Sequence, residues 1–258
     1  MVVDAPKVGS GLQDHVSAGV VVLSREPISY VDADKDRRNL VRYLFRRGGP
    51  FASNIAEAGA FVRTRADLPA PDLQFHFAPA VFLDNGFTPA PGHGCTFGPC
   101  LLQPASRGSV TLRSSDPLAK PVLRANYYSE PEDLRTMVEG LRLALELAEA
   151  PSLRRHQDRR YLPESVDDAG LVAHLRAHSQ TLYHPTSSAA MGPREDDVLD
   201  PELRVRGVDG LRVVDASAFP TVPRGNTHAP VVMLAERAAD LLRAGARAAP
   251  AVGAQQGG

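Results

Sequence analysis

The sequence predicts an α+β fold, a mainly antiparallel sheet flanked by helices, on three observations. Leu73, Phe75 and Phe77 alternate with Gln74 and His76, the two-residue period of a strand with one face in a core, and Gly108 to Arg113 repeats it after a turn. Leu134, Met137, Val138, Leu141 and Leu145 recur at steps of three and four, the period of a helix packed along one side. Finally, 258 residues that are 43% hydrophobic can fill a core of one large domain or two small ones.

In chain order, 2–22 holds short apolar runs interrupted by Gly9, Gly11 and Asp14, which suggests a strand or loop and then a strand through 19–23. Over 32–47, Leu40, Tyr43, Leu44 and Phe45 are spaced for one helical face among charged neighbours, and Gly48-Gly49-Pro50 ends that helix. After the strands over 73–77 and 108–113, Ser129 can cap the next helix with Pro131 in its first turn. Ser165 to Asp168 has the form of a capping box with Asp in place of Glu, so a further helix with Leu171, Val172 and Leu175 runs to about His178. Pro230 begins a last helix with Val231, Leu234, Ala238, Leu241 and Leu242 inward, and the stretch from about Gly245 reads as a disordered tail.

Charge and cysteine content exclude several functions. Twenty-nine Lys and Arg against 30 Asp and Glu give a net charge of -1, so no overall field draws the chain to nucleic acid or anionic lipid, and any specificity lies in a local site. No apolar run approaches the roughly 20 residues of a spanning helix and no signal sequence opens the chain, so the cytoplasm is the expected compartment. Cys95 and Cys100 are too few for a disulfide framework, and nothing near them completes a zinc site.

Gly9-Ser10-Gly11-Leu12-Gln13-Asp14 approaches the G-x-G-x-x-G dinucleotide fingerprint, but Asp14 would put a carboxylate where a pyrophosphate belongs. The other reading is a Gly-rich turn with Asp14 and His15 capping the next element. His174 and His178 have ligand spacing on one helix, without H-E-x-x-H or an evident third ligand, which favours solvated helix histidines. No G-x-S-x-G elbow surrounds Ser187 or Ser188, so a serine hydrolase lacks its setting. His184 is different: Pro185 restricts the backbone around it and holds the imidazole, and imidazole titrates near about 6.5, suited to proton transfer. Downstream, 198–217 reads as two short strands separated by Gly turns, the second ending at Asp215. Then 220–230 forms a polar loop running into a helix amino terminus, where backbone N–H groups favour an electron-rich ligand atom. Without further context His184 also reads as a core histidine, Asn226 as a helix cap and Asp215 as a turn acceptor.

At these residues the chain resembles the glucose-methanol-choline (GMC) oxidoreductases, choline dehydrogenase-like members in particular. The likeness runs through Tyr183-His184-Pro185, Met191-Gly192, Val198 to Asp200, Leu203 to Val205, Gly207, Leu211 to Ser217, Pro220, Gly225-Asn226, Ala229-Pro230 and Ala235-Glu236. Val8 to His15 is similar to the family's G-x-N-L-x-D-H stretch, with Gly11 at the usual Asn, and Ser187-Ser188 stands where Gly-Thr is usual. The resemblance implies oxidation of an alcohol to an aldehyde or ketone by hydride transfer to N5 of FAD, with oxygen or a quinone as electron acceptor. It makes His184 and Asn226 the catalytic pair, and Asp215, Ala216, Asn226, Thr227, His228 and Ala229 the flavin contacts, with no metal.

The resemblance also covers only a carboxy-terminal half. It implies no complete Rossmann unit, a remnant of the FAD-domain edge over 1–20, a substrate-binding domain over 21–180, a catalytic and flavin-contacting segment over 181–244 and the tail over 245–258. Phe75, Phe77, Phe82 and Phe87 are candidates for a substrate wall or for core packing. The alternative to an enzyme portion is a non-catalytic substrate-binding or assembly module that needs a partner chain supplying the FAD-binding half.

Overall fold

The computed structural model describes residues 3–248, with the side chains of 245–248 left aside. Its strands are β1 (Ser10–Leu12), β2 (Val16–Ser17), β3 (Val20–Ser24), β4 (Ala58–Val62), β5 (Leu73–Ala78), β6 (Gly94–Leu101), β7 (Gly108–Thr111), β8 (Val122–Arg124), β9 (Gln157–Leu162) and β10 (Gln180–Thr181). Its helices are α1 (Arg37–Arg46), α2 (Pro131–Ala148), α3 (Pro151–Arg154), α4 (Asp168–His178) and α5 (His228–Ala248). They fall into two compact units, one of 14–107 with 126–183, the other of 3–13, 108–125 and 184–248. The segment 108–125, which the resemblance places within the substrate domain, clusters with the carboxy-terminal segment.

The larger unit is built on a seven-stranded antiparallel sheet with β6 at its centre. β2 and β3 follow each other along one edge of β6, pairing Val16 with Leu101 and Val20 with Phe97, while β5 lines the other edge and carries β4. Alternation decides the buried face: Leu73, Phe75 and Phe97 join Val16, Val20 and Val22 in one core with Met137, Leu141 and Ala144 of α2 and Leu171 and Leu175 of α4. Phe77 packs against it too, its ring 5.0 Å from that of Phe97, so Phe75 and Phe77 take part in core packing, while Phe82 and Phe87 are exposed. Gly140 lets α2 approach the sheet, since a Cβ there would meet the Pro99 side chain at 2.9 Å.

Several local expectations are corrected. α2 is preceded by Glu130, which caps it with no side chain, and Ser129 lies one residue further out. α4 is capped by Asp167, whose carboxylate accepts from the Gly170 N–H at 2.7 Å, in place of Ser165. α1 forms, but none of its residues is buried. Asp14 and His15 cap no helix. Asp14 is buried and accepts from the Tyr127 hydroxyl at 2.5 Å, while the fully buried His15 ring bonds the Leu102 carbonyl through Nε2 at 3.0 Å.

The second unit joins β1, β7 and β8 in an antiparallel sheet. Gly9 meets β7 so closely that a Cβ would lie 1.9 Å from the Val110 oxygen, and its φ of +79° is a glycine conformation. The Gly9–Gly11 stretch therefore opens a sheet strand, with no helix after it to cradle a phosphate. In place of the two strands expected over 198–217 stand single bridges, Leu199 to Val205 and Arg204 to Arg212. Leu199, Leu203, Ala218 and Phe219 pack against Leu234 and Ala238 of α5. Leu242, expected inward, is exposed. α5 begins at His228, two residues ahead of Pro230, and continues to Ala248; the rest of the expected tail lies outside the described residues.

Candidate active site

The residues singled out around His184 and Asn226 lie in the second unit, on three neighbouring segments. His184 opens the first segment. It is half-buried, between exposed Tyr183, whose φ of +60° is a costly left-handed conformation for a bulky residue, and Pro185. Ser187, Ala189 and Met191 then donate their backbone N–H groups to the carbonyls of Ala216, Ser217 and Ala218 at 3.3, 3.0 and 2.9 Å. This ladder sets the His184 segment beside the second, the tight turn Ala216–Ala218. Asp215 starts that turn and caps it, its carboxylate accepting from the Ser217 N–H at 2.7 Å and the Ser217 hydroxyl at 2.5 Å.

The third segment, 219–227, carries Asn226 and leads into α5. Asn226, His228 and Ala229 are exposed and Thr227 is buried, its carbonyl accepting from the Val231 N–H in the first turn of the helix. Asn226 precedes the helix by two residues, so the backbone position next to the helix is Thr227. At this helix start the N–H groups of His228 and Ala229 have no carbonyl of their own helix to bond, and Pro230 has no N–H.

What joins the first and third segments is a residue to which no sequence motif points. Gln13 is 5% exposed, and its backbone pairs with that of Thr186 in both directions, at 3.1 and 2.8 Å. Its side chain reaches the other way: Oε1 accepts from the Val222 N–H at 3.2 Å and Nε2 donates to the Pro220 carbonyl at 3.4 Å. One buried residue thereby ties, by its backbone and its side chain, the segment that follows His184 to the loop that leads to Asn226. The available signal was a long amide between Leu12 and the buried run from Val16.

The remaining candidates lack the setting their chemistry needs. His174 is buried, not solvated, and its Nε2 bonds the Gly19 carbonyl at 3.0 Å. Burial, and then the neighbouring His178 charge, lower its pKa to about 4. No group of three or more metal-ligating side chains occurs among the described residues. Ser187 is buried and its hydroxyl donates to that of Thr186 at 3.1 Å, which removes it as an exposed nucleophile. Cys95 and Cys100 are free thiols, and burial pushes Cys95 up to about 11 and Cys100 higher, so both stay protonated and unreactive near neutrality. No helix among the described residues is long and apolar enough to cross a membrane.

Comparison with known proteins shows what the chain is similar to. The chain is 47% identical over 244 residues to an uncharacterized GMC-type oxidoreductase of Mycobacterium tuberculosis, covering 93% of this chain and 46% of that protein. It is 40% identical over 248 residues to an oxygen-dependent choline dehydrogenase of Paraburkholderia phymatum, covering 94% of this chain and 43% of that one. The chain thus spans less than half the length of these relatives. Among solved structures it superposes on a variant of formate oxidase from Aspergillus oryzae, studied for its FAD modification, with a TM-score of 0.84 and 26% identity over 95% of this chain and 48% of that one. The family model described as GMC oxidoreductase matches residues 104–235, half of the sequence and most of both segments that carry His184 and Asn226, and the chain belongs to the GMC oxidoreductase family.

Proposed function

We propose that this chain is the substrate-binding and catalytic portion of an FAD-dependent enzyme that oxidises an alcohol to an aldehyde or ketone, with oxygen or a quinone as the final acceptor. The observation that carries the reading is the Gln13 tie, which sets the His184 and Asn226 segments side by side within one unit. In this reading the His184 ring takes or shares the hydroxyl proton of the alcohol. The Asn226 amide, a neutral donor, hydrogen-bonds the developing alkoxide without competing for the proton. Asp215 keeps the turn at Ala216 in place through its own cap, and Asn226, Thr227, His228 and Ala229 present the amino-terminal end of α5 to the flavin.

That end fits the ring of FAD, because amide and backbone N–H donors at a helix amino terminus match electron-rich ring atoms. Bound FAD supplies a hydride acceptor at N5. The ADP half finds no such fit among the described residues, since the glycine stretch at 9–11 lies in a sheet. Weak or absent FAD retention by the chain alone is therefore expected, and purified protein should show no stoichiometric flavin band in the visible spectrum; such a band would contradict this. The alternative, a non-catalytic substrate-binding or assembly module beside a separate FAD-binding chain, draws support from the same lack of an ADP cradle among the described residues. The two separate on one experiment. Co-expressed with a family amino-terminal half carrying G-x-G-x-x-G, this chain should give alcohol-dependent bleaching of the flavin, and a flavin-loaded complex in which no alcohol reduces the flavin would leave only the module.

A further inference from the structure

Helix α1 is amphipathic and yet has no buried residue. Leu40, Val41, Leu44 and Phe45 lie at successive steps of one, three and one, so they form one continuous face, and their exposures are 50, 54, 58 and 83%. A soluble protein gains nothing by leaving such a face in water, at a loss of apolar burial at every position. Along one flank of it run Arg38, Arg42 and Arg46, each one turn from the next, and Arg37 and Arg47 add to the charge. Positions 37–47 hold five arginines and no acidic residue. Asp36, the helix cap, engages Arg38; Arg37, Arg42, Arg46 and Arg47 make no ion pair among the described residues. Arg47 instead sits over the Tyr43 ring, 5.4 Å from its centre, on the other border of the apolar face.

We propose that α1 is an interfacial helix that seats this protein on an anionic lipid bilayer. The occupant follows from charge. A protein partner burying this face would have to pair or desolvate a whole row of guanidinium groups, whereas lipid phosphates meet them at the level of the headgroups while acyl chains take the apolar face. The near-zero net charge of the chain leaves the association to this local cluster, so it is reversible and salt-sensitive.

The test is co-sedimentation of the full 258-residue chain with vesicles of phosphatidylcholine, with and without phosphatidylglycerol. Binding to the anionic vesicles should exceed binding to the neutral ones by about tenfold or more and fall as salt shortens the Debye length. Arg42→Gln with Arg46→Gln should weaken it about 25-fold, at about fivefold per arginine, and Phe45→Ser about tenfold. These side chains are exposed, so the melting temperature should not move; a separate Leu44→Ser variant checks the apolar face should Phe45→Ser melt early. Equal binding to both vesicle types, no binding at low salt, or binding indifferent to the arginine and apolar variants would overturn the proposal. It would equally fall if the parent chain ignored vesicles and formed a dimer that Phe45→Ser dissociates, since a second copy would then cover the face.

Discussion

His174 and His184 are the same side chain in two environments, and the contrast separates structure from chemistry. His174 sits on α4 inside the larger unit, bonded to the Gly19 carbonyl where β2 gives way to β3, with the His178 ring centre 4.9 Å away. Burial holds it neutral down to about pH 4, so it braces a break in the sheet and carries no proton near neutrality. His184 sits on a segment with access to solvent, fixed by Pro185 after it and by the ladder that begins at Ser187. Helical spacing drew attention to the first histidine, and backbone restriction to the second. Only the second has the accessibility that proton exchange with a ligand requires.

The contrast can be broken in order of effect. In the flavin-loaded complex, His184→Ala should slow flavin reduction by about 10² to 10⁴, while His174→Gln should leave it near the parent rate; stopped-flow bleaching measures both. The stability of the parent should fall on acidification from pH 6.5 to 4. There the unfolded His174 takes up a proton and the folded one does not, so unfolding is favoured by about 1.4 kcal/mol per pH unit. Urea unfolding across that window should lose one proton's worth of slope in His174→Gln; equal slopes in parent and His174→Gln would contradict the assignment. Gln13→Leu should cost about 1–3 kcal/mol, by leaving the Val222 N–H and Pro220 carbonyl without their partner. It should also slow flavin reduction, with Gln13→Glu intermediate because it keeps the acceptor and loses the donor; a Leu variant as fast as the parent would remove the tie from the mechanism. Smallest, Asp215→Ala should cost about 1 kcal/mol by thermal melting, the usual loss of a cap.

The same contrast explains what could be read in the sequence. α2 and β5 were legible because each carries its period and finds its partner: Met137 and Leu141 are buried beside Leu73 and Phe75. α1 shows the limit of that signal, since spacing reveals an apolar face and says nothing of what covers it. The placement of 108–125 was hidden because it depends on β7 pairing with β1, a contact across about a hundred residues with no local trace. In the site, His184, Asp215 and Asn226 stood out through Pro185, the Gly turns and the family likeness. Gln13 escaped because its work is done by a side chain bonded to backbone groups more than two hundred positions away.

The central claim, that His184 and Asn226 act on one alcohol oxygen, is tested most directly by a double-mutant cycle on flavin reduction with His184→Ala, Asn226→Ala and the pair. Residues that share a transition state are coupled, so the double variant should be far less impaired than the product of the two single losses. Strictly multiplicative losses would show two groups working apart and would contradict the account.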